Sequence, residues 1–579
     1  MQDNHRRSIR AAILPLAMLG GAILAGSAMA VPGNIVVVGE DQSPEGLNQV
    51  DLGGATVVTH RVLCPVQCEN LLGFDAKTFQ YTPVLAETVP STTNGLVKTS
   101  PKFTVTFKIR REAKWSDGVS VTSADVKFTV DQMLDPKFKA ASRTGFDQIA
   151  SVETPDAQTA VVIFKKPYAP WRDVFSPSGG AILIPKHIVE GKDFNTLWNG
   201  DDPKVVIGTG PYVIDSFKKD ESAVLLPNTK YWGSTKPKLD KIVFTFLKST
   251  QTQDVQFRSG EINWIQTPVF ALIPELRKID KTKVDAPSGL TWEHLAFNQE
   301  NPVMKDINVR RAIAYAINPA ELIKRSTGGF TKPLFSFLLP EQRPYYKPSW
   351  AKYKTNPGAV SKALTASGYR KNGKGIWAKG GKELNITFTT IAGNSTRENN
   401  FKLMKAQLAK VGIKMTPIFD ENFFDANGPN NTGKYMVAEF AFSGSSDPSQ
   451  SQLFRSDVIP TKANGFSGQN TYRIKDKTLD SLLNRADQAL AIPTRVSLQK
   501  QIQDRIASNL YLVPLYQRPE VTAYADNLQG VIVNPTQIGA ADKTETGLYI
   551  GGKASRERER QRWVGALRRR PTPPDHRPE

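Results

Sequence analysis

Between Phe103 and Leu134 the hydrophobic period of the chain changes from two to a helical spacing. Phe103, Val105, Phe107 and Ile109 alternate with polar neighbours, which predicts a half-buried strand. Asp117-Gly118 supplies a turn. Thr122 stands three residues before Asp125 and opens a run that sets Val126, Val130, Met133 and Leu134 on one helical face. This is close to a capping box, with Asp where Glu or Gln is commoner. Pro136 closes the helix. Short apolar runs predict buried strands at 35–38, 160–164 and 242–246, and a helix is expected over 251–260. Leu384, Ile386 and Phe388 mark another strand, followed by a helix carrying Phe401, Met404, Leu408 and Val411, which Gly412 stops, and a strand at 413–418. That order is a βαβ unit, which generates parallel pairing through a right-handed crossover. Val309, Ile313 and Ile317 share one helical face, as do Leu479, Leu482, Leu483, Ala486 and Leu490.

The two ends of the chain read differently from its body. Arg6, Arg7 and Arg10 precede an apolar stretch from Ala11 to Leu24 and an A-x-A site at Ala28-Met29-Ala30. These are the three parts of a cleavable secretory signal, and the apolar run falls short of the ~20 residues a spanning helix needs. No cysteine follows it, so a lipid-anchored product is not expected. Ordinary export is favoured over a twin-arginine route, because the residues around Arg6-Arg7 match that signal poorly. From Lys553 the chain becomes rich in Arg and Pro, which predicts a disordered basic tail over 553–579.

Export bears on the two cysteines, Cys64 and Cys68. In an oxidising compartment a local disulfide is the simpler reading, and a metal site would need further soft ligands that the dispersed histidines do not supply. The formal charge is +20. Residues 1–30 contribute about +2 (three Arg, one Asp) and residues 551–579 contribute +5 (nine Lys and Arg, four acids), leaving +13 on the body. Such a body favours acidic ligands, or is simply a solvated basic surface. Dispersed charges and export both argue against nucleic acid as a partner.

The strand, the Trp115-Ser116-Asp117-Gly118 turn, the cap and the helix closely resemble a signature of the family 5 extracellular solute-binding proteins, the peptide, opine and nickel receptors of ABC importers. The resemblance continues through Glu69-Asn70-Leu71-Leu72, Pro83-Val84-Leu85-Ala86, Gly208-Thr209-Gly210-Pro211-Tyr212, Asn228 to Gly233, Phe297-Asn298 and Asn308 to Ile313. It implies an α/β fold of the type II periplasmic-binding-protein kind, in the large three-lobed form, with a ligand cleft between two main lobes. After the signal at 1–30, lobe I is expected from 31–66, 200–290 and 520–552, lobe II from 67–199, and lobe III from 291–519. The resemblance also implies a monomer that captures a peptide-like or other small solute and delivers it to a membrane permease and its ATPase, with no cofactor.

In peptide-binding members an acidic residue of a G-W-x-x-D-x-x-D-P-like stretch pairs with the ligand's amino terminus. The matching stretch here, Phe440 to Pro448, has Phe442 in the aromatic place and Ser445 or Ser446 where the acid belongs, and a serine lacks the charge an ammonium prefers. Asp447 is either a ligand contact or a turn aspartate before proline. Arg397 follows a βαβ strand, where a ligand crevice forms, and is either a carboxylate clamp or a surface arginine. Trp292 is an aromatic wall or a core residue, and Tyr472 borders a loop that faces the cleft in this family.

Gly368 to Gly375 nearly spells a P-loop but lacks the final Ser or Thr, and Gly465 to Gln469 misses the last glycine of a nucleophile elbow. A secreted hydrolase is therefore the weaker alternative, beside the same fold serving as a sensor or chaperone subunit. The missing amine anchor points away from plain peptides, and scarce histidine points away from nickel or haem. A modified peptide, an opine-like conjugate, an oligosaccharide or a metal chelate remains, with the basic body favouring an anion.

Overall fold

The strand Ile35–Glu40 lies in the middle of a seven-stranded sheet, because its Val-rich run can be covered on both faces. The computed structural model describes residues 34–531, apart from 76–79, 177–181, 201, 248, 267, 269, 445 and 446. The expected signal at 1–30, most of the segment 520–552 and the tail at 553–579 lie outside the described residues, as do Ser445 and Ser446. Ile35–Glu40 runs parallel to Lys241–Phe246 on one side and to Trp264–Ile265 on the other. Tyr212–Lys218 and Ser222–Pro227 extend the sheet at one edge, and Thr522–Ala525 and Thr282–Asp285 at the other.

A five-stranded sheet is built from the second half of the chain, in the order Lys414–Asp420, Asn385–Ile391, Val437–Ser443, Ser288–Phe297, Leu512–Pro519. Its first two strands are parallel and joined by the helix Ser395–Lys410, the βαβ unit that the periodicity predicts. The helix begins six residues before Phe401, because the side chain of Asn394 accepts from the backbone N–H of Arg397 and caps it there. Arg397 therefore sits on the first helical turn.

Residues 97–164 form a four-stranded antiparallel sheet with the helix Ser123–Leu134 packed on it. Asp125 explains its own choice over Glu. One carboxylate oxygen accepts from the backbone N–H of Thr122 at 2.8 Å, and the other accepts from the N–H of Lys186 at 3.0 Å, so the cap also fastens the next segment.

This sheet shares one hydrophobic core with the seven-stranded sheet, running from Val36 to Leu528. The five-stranded sheet has a separate core, bounded by Leu290 and Tyr516. The chain passes between these two bodies twice, at 286–287 and at 520–521. The passages touch, with Glu520 N–H donating to the carbonyl of Pro287 at 2.9 Å. The bodies also meet elsewhere: Ser467 Oγ donates to the Ala140 carbonyl at 2.6 Å, Gly468 N–H donates to that of Ala141 at 3.2 Å, and Arg455 approaches Asp147 at 3.3 Å.

The helix Val57–Gln67 connects this architecture to the space between the bodies. At its end Cys64 and Cys68 form a disulfide, and both are buried. The carbonyl of Val66, which has no helical partner, accepts from Gly210 N–H at 2.9 Å. A Cβ on Gly208 would stand 1.9 Å from that same carbonyl oxygen, so the G-T-G-P-Y stretch needs glycine for close approach. Gly208→Ala is expected to destabilise the protein by about 1–3 kcal/mol in urea unfolding. An unchanged midpoint would show that the two backbones do not pack this closely.

Candidate functional site

A cavity of about 320 Å³ opens between the two bodies. One wall consists of the end of the strand Ile35–Glu40, the turn Asp41-Gln42, Gln49, and the first turns of the helix Val57–Gln67 with His60 and Arg61. Crevices form where parallel strands end and helices begin, which places these residues there. The other wall takes Arg397 from the first turn of its helix, Phe440 and Phe442 from the strand Val437–Ser443, Thr291, Thr471 and Arg518. Ala141 and Gly468, where the bodies touch, also line it.

The charged groups of this cavity are paired across short distances. Arg61 meets Glu40 at 3.0 Å, and Arg397 meets Glu293 at 2.7 Å, with Arg518 at 3.9 Å from the same carboxylate. Burial pushes the Glu40 carboxyl up to about 7, although Arg61 opposes the shift. Burial also raises Asp41, against the pull of Arg61, Arg518 and Arg397. Glu439 lies behind this group, and burial, reinforced by Glu293, holds it well above the ordinary carboxyl range. His60 donates its Nδ1 proton to the Thr56 carbonyl at 2.7 Å, and burial lowers its pKa, so the ring is neutral with Nε2 as an acceptor.

The residues singled out in the sequence separate into three groups. Arg397 and Phe442 line the cavity. Trp292 and Tyr472 are fully buried beneath it: Trp292 packs 6.1 Å from the Phe442 ring and 4.4 Å from His294, and the Tyr472 hydroxyl bonds His294 at 2.7 Å. Burial pushes His294 down to about 3, so this layer is uncharged. Asp447 stands apart from the lining residues, in a two-pronged pair with Arg495 at 2.5 and 2.7 Å, and it also accepts from Ser449 N–H at 2.8 Å. Its turn role and its ion pair leave no carboxylate edge for a ligand amine.

Sequence reading missed the wall made by Glu40, Asp41, Gln49, His60 and Arg61. The signal was present, since Glu40-Asp41 ends an apolar parallel strand. Arg518 and Thr471 carried no comparable pattern, because their places depend on pairings distant in sequence.

Removing one partner of the Asp447–Arg495 pair strands a buried charge, so Asp447→Ala is expected to cost about 3–5 kcal/mol of stability. Equal stability of variant and wild type in denaturant titration would contradict the buried pairing. Glu40 titrates near its ordinary 4.5 in the unfolded chain and near 7 in the folded one. Between these values the folded state binds more protons, so the residue's contribution to stability falls as pH rises, by on the order of 3 kcal/mol. Glu40→Gln is expected to flatten this part of the profile, read from urea midpoints on either side of the window.

Residues 80–458 match the model of the bacterial extracellular solute-binding proteins, family 5 (middle region). The oligopeptide-binding protein AppA of Bacillus subtilis is 26% identical over 480 residues, covering 81% of this chain and 84% of the relative. The oligopeptide-binding protein OppA of Mycobacterium tuberculosis is 25% identical over 466 residues, covering 78% and 75%. Among solved structures, the oligopeptide-binding protein of Thermus thermophilus with a pentapeptide superposes with a TM-score of 0.78 at 21% identity, covering 90% of this chain and 97% of that one. NikZ of Campylobacter jejuni with Ni(L-His) gives 0.75 at 21% identity, covering 86% and 96%. The match to the family model spans well over half of the sequence, and the chain belongs to the family 5 bacterial extracellular solute-binding proteins.

Proposed function

We propose that the protein is an exported receptor of an ABC import system that closes its two bodies around a small polar solute in the cavity and presents it to a membrane permease and its ATPase. One observation carries this reading: the cavity is lined by both bodies, while among the described residues the chain joins them only at two adjacent passages. A ligand held by both walls stabilises the closed arrangement by contacts the open one lacks, so binding and closure are linked. Reversing a 99:1 open population would take ~5.5 kcal/mol of differential binding. The shared core of the first body and the separate core of the second support a three-lobed division in which lobe III moves against lobes I and II.

Family 5 binding proteins of ABC importers are periplasmic or extracellular, and the signal-like first thirty residues without a following cysteine favour a soluble periplasmic product. Among the described residues no helix is long and apolar enough to cross a membrane. The family's members bind rather than catalyse, which favours the receptor over the hydrolase.

X-ray scattering with and without ligand tests closure: a smaller radius of gyration on binding is expected, and identical curves at saturation would overturn the reading. Phe442 and Trp292 separate wall from support. Phe442→Ala is expected to weaken calorimetric affinity about tenfold with a modest loss of stability. Trp292→Ala is expected to act first on the fold, at about 3–5 kcal/mol.

A further inference from the structure

Formal charges of both signs stand in equal number around the cavity. Three carboxylates, Glu40, Asp41 and Glu293, stand among three guanidiniums, Arg61, Arg397 and Arg518. The two charged side chains weighed in the sequence as ligand contacts both have protein partners, Arg397 through Nε to Glu293 and Asp447 to Arg495. A ligand carrying a free ammonium or carboxylate would unbalance this set, which is costly in a partly desolvated site. The net basic charge of the body is not reproduced here.

Beside Glu40 Oε1 and Arg518 Nε, which lack protein partners, other unanswered groups of the lining are uncharged. Gln49 (1% exposed) gives its Nε2 proton to Gln67 at 2.7 Å and leaves Oε1 without a protein partner. His60 (7% exposed) leaves Nε2 in the same state. On the opposite wall, Thr291 and Thr471 (2% exposed each) carry hydroxyls with no protein partner. Buried polar atoms of this kind are satisfied in nearly all folded proteins, by water or by a ligand. The first wall offers acceptors and the second offers groups that both donate and accept. A hydroxyl group answers both, whereas a carboxylate answers only donors. The Phe440 and Phe442 rings add apolar faces, and the volume lies at the small end of ligand sites.

We propose that the cleft takes an uncharged, hydroxyl-rich solute of mono- to disaccharide size, whose hydroxyls bridge Gln49 and His60 on one wall to Thr291 and Thr471 on the other across the Phe440 and Phe442 rings. The inference rests on the receptor reading given above and narrows its ligand.

The test uses the exported chain purified without denaturation. Its retained ligand is released and identified by mass spectrometry, and the stripped protein is titrated calorimetrically with neutral mono- and disaccharides, dipeptides and dicarboxylates at low and high salt. The expected ligand is a neutral compound of carbon, hydrogen and oxygen, whose affinity changes by less than about twofold with salt. Thr291→Val and Thr471→Val should each weaken it about tenfold. If either variant fails to fold, the ligand's composition and the salt dependence decide. A ligand with a free ammonium or carboxylate, or an affinity that falls steeply with salt, overturns the proposal and leaves the receptor reading standing. Stripped protein that binds none of these classes and does not change its scattering overturns both.

Discussion

Two sets of apolar side chains, one around the strand Ile35–Glu40 and one around Ser288–Phe297, bury themselves independently, and among the described residues the chain joins them only at 286–287 and 520–521. Hydrophobic burial holds each body together, but little of it holds one to the other. Among the described residues, what lies between them is largely polar, with backbone bonds at Ala141 and Gly468 and an arginine near Asp147, beside the small apolar contact of Phe330 with Phe270 and Ile273 and the Phe440 and Phe442 faces of the cavity. Contacts of that kind exchange readily for water, so the relative position of the bodies is inexpensive to change while each body stays rigid. Gly289 keeps the two passages close, since a Cβ there would stand 2.3 Å from the Glu520 carboxylate.

Within this frame the buried charges act as fixtures more than as bait. Glu293 holds Arg397 and approaches Arg518, Glu40 holds Arg61, and Arg495 holds Asp447. Such pairs add little net stability but penalise alternative arrangements strongly, because each would leave a charge without its partner. They set the side-chain geometry of both cavity walls before a ligand arrives. Glu439, whose carboxyl burial raises well above its ordinary range, adds a hydrogen-bonding layer with Asn400 beneath the pairs.

Much of the fold was legible because its signals are local. The period change at Phe103–Leu134, the cap at Thr122 and Asp125 and the βαβ spacing each depend on residues within a few positions, and each appears as an element of the structure. The site was legible only in part. Phe442 and Arg397 lie on a strand end and a helix start, where α/β crevices form. Trp292 and Tyr472 could not be told from wall residues, since aromatic side chains serve core and cleft alike and only burial distinguishes them. Asp447 stayed open between ligand contact and turn aspartate because its partner Arg495 lies 48 residues away and no local pattern couples the two. The neutral lining made by Gln49, His60, Thr291 and Thr471 had no signature at all, because it is defined by the partners its atoms lack.

The disulfide at Cys64 and Cys68 has a consequence for how the molecule is obtained. It spans four positions within one helical segment, so chain entropy alone credits it with only about 2 kcal/mol. Its weight falls on the local geometry of the segment whose opening turns carry His60 and Arg61. Material produced in a reducing cytosol would therefore retain both hydrophobic cores and pass ordinary checks of solubility and secondary structure. Its recognition surface, however, would stand on a loosened support, and affinities measured on it would understate those of the oxidised form.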